Sequence, residues 1–335
     1  MRNGIAVNWI NDPGPVGPVK ASACAAEFFR GGLLMLTVYP DYYPAFRCIA
    51  GACRHNCCIG WEIDLDDETL SAYRAMPGPL GRRLRQSISA GDPPHFLLDG
   101  EERCPFLNRC GLCDLILAGG ETLLCQICRD HPRFRNDLPG RTELGLGLCC
   151  ESAAELILSQ REPVRLVTEG REDARDPAAR ALLDLRQRAF AVAQDRGLPV
   201  EARMDRLLLL LCGAMEPGHP ARWAEVLLEL ERLDESWTPM VEQLGRTGEK
   251  TVVPPGYETE WEQLLVYFLY RHFLAAWEDG DPGSKAGFAV LSVRVLQSLS
   301  ALYPGLPLAE LARMYSAEVE YSTDNLDVLF GELTL

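Results

Sequence analysis

Residues 46–61 read FRCIAGACRHNCCIGW, with cysteines at Cys48, Cys53, Cys57 and Cys58, the last two adjacent. Neighbouring side chains diverge in direction in both helix and strand, so Cys57 and Cys58 are poorly placed to bind one mononuclear ion together. They suit different irons of a cluster better, or one binds while the other packs. Working outward, eleven of the thirteen cysteines lie between Cys48 and Cys150, the others in that span being Cys104, Cys110, Cys113, Cys125, Cys128 and Cys149. Cys24 and Cys212 stand apart. Cys212 reads as a small apolar side chain in the helix around Leu207–Leu211. Scattered packing cannot account for the other eleven, and such a density points to a metal centre.

Which metal is left open by the spacing. Cys110-x2-Cys113 and Cys125-x2-Cys128 imitate the two knuckles of a four-thiolate zinc site. Cys48-x4-Cys53-x3-Cys57-Cys58 does not, so a polythiolate site is expected with iron–sulfur and zinc both possible. Two enzyme motifs are refused. CxxxC at 53–57 opens like a radical-SAM loop, but the place for its third cysteine holds none. TELGLGL (142–148) resembles the glycine turn of a Rossmann-type methyltransferase, yet PGR precedes it where an apolar strand should be, so it reads as a strand of a hairpin.

The 335 residues are 47% hydrophobic, enough for a sizeable core. A net charge of −15 and a pI near 4.9 argue against a nucleic-acid partner and favour a basic peptide or protein. The N-terminus lacks the apolar stretch of a secretory signal. The apolar runs at 31–38 and 207–212 fall far short of the ~20 residues a membrane-spanning helix needs. A soluble, cytoplasmic chain with no membrane association is therefore expected, and in that compartment thiols stay reduced.

The expected fold class is mainly α with a small β-hairpin: an irregular cysteine-rich metal-binding domain plus an α-helical domain. Residues 1–45, punctuated by Gly and Pro, read as an N-terminal arm with a short helical patch at 20–30. The cysteine-rich domain is expected over 46–160. Within it, Asp66 or Asp67 caps a helix reaching about Met76, a second helix follows Pro79 to Ser89, a hairpin turns at Pro139-Gly140, and Glu151–Gln160 is helical. Charged, Pro-containing residues mark a boundary near 160–178. From 175 to 335, apolar residues recur at three-to-four spacing over 180–196, 201–215, 221–234, 258–279, 285–303 and 307–320, which predicts a helical domain for substrate or cofactor. Aromatic stripes such as Trp261, Tyr267, Phe268 and Phe273 read as its core.

With these pieces assembled, the chain resembles the flagellin lysine-N-methylase family, itself related to cysteine-rich zinc- or iron-chelating domain proteins. The resemblance is carried by FRCIAGACRHNCCIGWEIDLDDETLSAY (46–73), CPFLNRCGLCDL (104–115), LLCQICRDHPR (123–133) and LGLCCESAAELIL (146–158), with weaker echoes in YFLYRHF (267–273) and YSAEVEYS (315–322). It implies a [4Fe–4S] cluster and S-adenosylmethionine, with methyl transfer to a lysine ε-amine of a protein or peptide. The family-like ligand candidates are Cys48, Cys53, Cys57, Cys58, Cys104, Cys113, Cys128 and Cys150, whereas Cys110, Cys125 and Cys149 stand at positions the family fills otherwise. Two family-like positions, Arg and His, are Ala317 and Tyr321 here, and His131 stands where the family has an aromatic.

Any N-methylase must deprotonate the lysine ammonium and align the amine with the methyl group. Glu320 and Tyr321 are the catalytic candidates, Glu320 to attract the cation and Tyr321 to orient it or relay a proton. Arg133 and Arg271 are candidates to grip the carboxylate of the methyl donor. His55 and His131 lie among the cysteines as further ligands or supporting donors. Two other readings are carried: an iron–sulfur enzyme acting on a small-molecule amine in a biosynthetic pathway, and a non-enzymatic zinc- or iron-binding interaction protein.

Overall fold

The computed structural model describes residues 36–170, 176–213, 218–247 and 255–334. Cys24 and the helical patch expected at 20–30 lie outside the described residues.

Strand β1 (Leu36–Pro40) alternates buried and half-buried side chains, as one covered face and one wetter face require. In the cysteine-rich stretch, α1 (Asp67–Ala75) begins where the Asp66 carboxylate accepts the Thr69 amide and ends at Met76, and α2 (Gly78–Gln86) follows. Short helices α3 (Asp114–Gly119) and α4 (Gln126–Asp130) start directly after Cys113 and Cys125. The expected hairpin is present as β2 (Arg133–Leu138) and β3 (Arg141–Leu146), joined at Pro139-Gly140 with Gly140 at φ +75°. Gly145 faces Phe134 across it, and the ring fills the place a Cβ would take. Helix α5 (Glu151–Leu158) starts at Cys150, and β4 (Leu166–Glu169) follows.

The hairpin is extended into a four-stranded mixed sheet in the order β2-β3-β1-β4, with β1 parallel to β3 and antiparallel to β4. The sheet thus draws one strand from the stretch read as an arm and one from the stretch read as a charged boundary. Both strands are too short, at five and four residues, to declare a period of two in the sequence.

The helical part comprises α6 (Pro177–Ala193), α7 (Val200–Cys212), α8 (Pro220–Glu229), α9 (Trp237–Thr247), α10 (Glu258–His272), the short α11 (Ala276–Asp279), α12 (Pro282–Leu302), α13 (Leu308–Tyr315) and α14 (Thr323–Glu332). A π-helical turn, Ser316–Glu320, separates the last two. Helices α9 and α14 were not expected: Pro239 sits in the first turn of α9, where proline is tolerated, but reads in sequence as a breaker. Helices α10 and α12 are buried on nearly all sides and form the centre of the main core. Glu143 of β3, fully buried, is held between Arg186 of α6 and Arg141, and Glu262 of α10 between Arg203 of α7 and Arg196. These pairs tie the sheet and α7 to the core.

A second, smaller core gathers Ile63, Leu65, Leu70, Tyr73, Leu84, Phe96 and Phe106 under α1 and α2. Among the described residues no helix is long and apolar enough to cross a membrane.

Candidate functional site

The twelve described cysteines are all free thiols. Those from the loops at 48–58, 104–113 and 125–128 and from the start of α5 are drawn together although they are scattered along the chain. The Cys58 thiol lies between those of Cys57 and Cys104 and bonds to both, while Cys125 and Cys128 bond to each other. Cys104 lies within electrostatic reach of Cys113 and Cys128. Sharing protons in this way, above all with Cys104, pushes the Cys58 thiol up, and the bond to Cys125 does the same to Cys128. Cys57, Cys104 and Cys125 are pulled below the usual thiol value by the same contacts.

A second set surrounds the start of α5. Cys150 lies within reach of Cys57 and Cys48, and Cys53 within reach of Cys150. The buried Glu151 carboxylate accepts the Arg54 amide at 2.8 Å and Nε at 2.6 Å, and lies 3.5 Å from Cys53 Sγ. Burial, with Glu151 adding to it, pushes the Cys53 thiol up to about 11.

Cys110 is exposed on the turn capped by Asn108, so the structure does not assemble the four-cysteine zinc spacing read from Cys110 to Cys128. Cys113 lies within reach of Cys104 instead, and Cys128 within reach of Cys125, Cys104 and Cys57. His55 turns away from the thiols to pair with Glu310 of α13 at 3.0 Å. Cys212 is buried in the main core, as expected, its thiol donating to the Gly283 carbonyl.

A cleft of about 450 Å³ is lined by Asp64, Asp66, Asp130, His131, Arg133 and Tyr321, together with Gln126 and Ile127 of the turn between Cys125 and Cys128. Tyr321, His131 and Trp61 form a triangle of rings, with centroids 5.2 Å apart for Trp61 and Tyr321 and 6.5 Å for each pair with His131. Burial, helped by nearby Arg133, pushes His131 down to about 4, so its imidazole is neutral at physiological pH. Arg133 lies over the Phe46 ring and reaches the Arg129 carbonyl at 3.4 Å. The three aspartates give the cleft a cation-attracting wall.

Behind Tyr321 lies a buried polar network that sequence reading anticipated only in part. The π turn carries Glu320 inward, where its carboxylate accepts from Tyr267 Oη at 3.0 Å and lies 2.6 Å from His272 Nε2 and 3.4 Å from Arg271 Nε. Burial works to raise the Glu320 carboxyl, but the Arg271 charge and the His272 bond outweigh it and hold it below the usual range. Burial also keeps His272 neutral against the pull of Glu320. Arg271 is sandwiched between the rings of Phe134 and Tyr321. The Tyr321 hydroxyl bonds to the Cys149 thiol, which burial pushes up to about 12. A Cβ on Gly147 would lie 2.5 Å from Tyr321 Oη and 2.9 Å from Arg271 Nη1, so the second glycine of LGLGL (144–148) is what lets both side chains close over the backbone. Glu320 and Arg271 therefore sit behind the cleft, while Tyr321 and Arg133 line it. Tyr267 and His272 were missed as site residues because they read as one more apolar helix face.

With this geometry in view, comparison with known proteins gives a consistent picture. The chain is similar to lysine-N-methylases. The similarity is 27% identity over 134 residues to the lysine-N-methylases of Salmonella typhimurium and Salmonella choleraesuis, covering 38% of this chain and 33% of each relative. The flagellar biosynthetic protein FliU of Salmonella muenchen is 26% identical over the same length, 79% of its own chain. The matched stretch thus spans about a third of the lysine-N-methylases. No family model and no solved structure matches the chain.

Proposed function

We propose that the protein is a lysine N-methyltransferase that uses S-adenosylmethionine and an iron–sulfur centre held by the cysteine lobe. The observation that carries the reading is an aspartate-lined cleft with Tyr321 and Arg133 in its wall, bounded by Gln126 and Ile127 of the short turn between Cys125 and Cys128. The donor set fits a cluster: sulfur ligands come from four separate segments. Among the described residues, the only three metal-binding groups within 4.8 Å of one another are Glu62, Asp64 and His95, so no three sulfurs approach the edge of roughly 3.8 Å that a tetrahedral zinc thiolate requires. The eight ligand candidates are those that the family resemblance singles out.

When bound, the donor supplies an electrophilic methyl group and the cluster an iron able to hold the donor's amino-acid end. The chain supplies the rest. Asp64, Asp66 and Asp130 draw a lysine ammonium into the cleft, and neutral His131 does not oppose it. An exposed carboxylate of this wall passes the ammonium proton to solvent, leaving the amine nucleophilic. Tyr321 orients the amine, Arg133 grips a carboxylate, and Glu320 with Arg271 fixes Tyr321 from behind. The substrate is a lysine of a protein, and the name of FliU makes a flagellar protein the first to try.

The test is incubation of anaerobically purified protein with S-adenosylmethionine and flagellin, followed by peptide mass spectrometry and analysis of the spent donor. Methylated lysine with release of S-adenosylhomocysteine is expected. Release of deoxyadenosine or an aminocarboxypropyl fragment, with lysine unmodified, overturns the assignment.

A further inference from the structure

We infer that the cleft beside Tyr321 is a receptor for methylated ammonium, holding a methylated lysine side chain more tightly than lysine itself. That the ligand is a lysine side chain rests on the proposed function; its methylation state is what the walls of the cleft add.

Two kinds of surface meet in this cleft. One is aromatic. His131 and Tyr321 line it, and Trp61 packs against both, its ring centroid 6.5 Å from that of His131 and 5.2 Å from that of Tyr321. The three rings are tilted by 51°, 55° and 78° to one another, so none lies flat on another, and each side chain remains partly exposed. A ring attracts a cation that comes within about 6 Å of its centroid. With centroids no more than 6.5 Å apart, one cation seated above the triangle comes within that reach of all three. Arg271 covers the Tyr321 ring at 5.0 Å from behind the cleft, and its charge is met by Glu320 at 3.4 Å. His131, kept neutral by burial and the nearby Arg133 charge, contributes a ring and not a competing cation.

The other surface is acidic. Asp64 and Asp130 are exposed in the cleft, and among the described residues neither carboxylate is engaged by a hydrogen-bond donor or a basic group. Asp66 differs: its two oxygens accept the Thr69 and Gln126 amides, so it lends its charge alone. The combination selects the ligand. A primary ammonium is compact, strongly hydrated and carries three N–H donors, and rings and the aliphatic side chains of Leu65 and Ile127 cannot replace the water it sheds. Each methyl group exchanges a donor for apolar surface that these side chains cover, while the charge stays available to Asp64 and Asp130. Carboxylates alone would favour unmodified lysine, and rings alone would take a neutral alkyl group equally well. Together they favour the methylated cation.

The test needs neither methyl donor nor turnover. The full chain, purified anaerobically, is titrated by calorimetry with peptides of one sequence whose central residue is lysine, monomethyl-lysine, trimethyl-lysine or the neutral tert-butyl analogue of trimethyl-lysine. Trimethyl-lysine is expected to bind about two- to fivefold more tightly than lysine, the worth of an exposed cation–ring contact, with monomethyl-lysine between them and the neutral analogue weakest. Trp61→Leu should abolish the preference among the charged peptides. Asp130→Asn, an exposed change at the end of α4, should weaken all the charged peptides and leave their order unchanged. The order in the parent protein is read whether or not the Trp61 variant folds. Absence of binding, lysine bound as tightly as trimethyl-lysine, a neutral analogue that matches trimethyl-lysine, or a folded Trp61→Leu protein that keeps the preference overturns the inference. A protein that shows the expected order yet methylates no lysine overturns the proposed function and leaves this inference standing; an active methylase without the preference does the reverse.

Discussion

Replacing Glu320 by glutamine tests whether the buried network behind Tyr321 holds the site together. The carboxylate serves three donors, His272 Nε2 at 2.6 Å, Tyr267 Oη at 3.0 Å and Arg271 Nε at 3.4 Å. A glutamine amide offers one acceptor oxygen and turns two donor hydrogens on the remaining partners. Arg271 suffers most, because its side chain is only 11% exposed and is clamped between the rings of Phe134 and Tyr321, so it cannot turn to water. Stranding a buried charge in this way costs about 3–5 kcal/mol. The ring contacts offer no relief, since they are present before and after. With a urea slope of ~3 kcal/mol/M, the unfolding midpoint followed by circular dichroism should fall by about 1 M. Adding Arg271→Gln removes the stranded charge and should recover at least half of the loss. A midpoint that moves by less than about 0.2 M in the single variant, or a double variant as unstable as the sum of the singles, refutes the reasoning.

Other consequences follow from the same geometry. Tyr321→Phe keeps the ring contacts with Trp61 and His131 and should leave stability within about 1 kcal/mol, yet slow methyl transfer by about tenfold or more through lost orientation of the amine; unchanged turnover would place the hydroxyl outside the reaction. Arg133→Ala should raise the KM for the methyl donor by roughly tenfold to a hundredfold, the worth of a charge-assisted hydrogen bond, with a smaller effect on kcat. Acid stability should be governed in part by Glu143: burial works to raise its carboxyl, but Arg186 and Arg141 outweigh it and hold it below the ordinary 4.5. Its contribution is therefore complete above pH 4.5 and is lost as pH falls below that through the lower folded value. Glu143→Gln should be less stable at neutral pH and show a flatter decline in urea titrations below pH 4.5.

How far the sequence disclosed these features depends on the length over which each signal acts. Asp66 announces α1 because a cap and its amide are three residues apart, and Pro139-Gly140 announces the hairpin because a turn is a local object. The cysteine count announced a thiol-rich lobe because composition needs no knowledge of the fold. The pairing of β1 with β3 joins residues about a hundred positions apart, and nothing in LTVYP names its partner. The spacing from Cys110 to Cys128 was a false local signal, since the fold leaves Cys110 exposed and brings Cys104 near Cys113 and Cys128. Glu320 was legible as a residue but not as a buried one, because a π turn carries one more residue per turn than the helical period assumes and so carries the side chain to the other face.

The departures from the family pattern gain meaning once their positions are known. The resemblance implies an aromatic at 131 and an imidazole at 321, and this chain carries the opposite residue at each place. Read along the chain, these are two separate losses. In the fold the two rings face each other at 6.5 Å beside Trp61, so the pair of one imidazole and one aromatic is kept with its members exchanged across the cleft. The exchange is not neutral chemically. At 131 the imidazole is neutral under burial and the nearby Arg133 charge, while at 321 a phenol now bonds the Cys149 thiol and receives Arg271 on its face. Ala317 is likewise buried in the π turn, where an arginine would have to displace its neighbours. Arg271, already within 3.4 Å of the Glu320 carboxylate and main-chain oxygen, brings a guanidinium to the same turn from α10. The positive charge and the imidazole are thus present at this site, supplied from α10 and from the loop before β2.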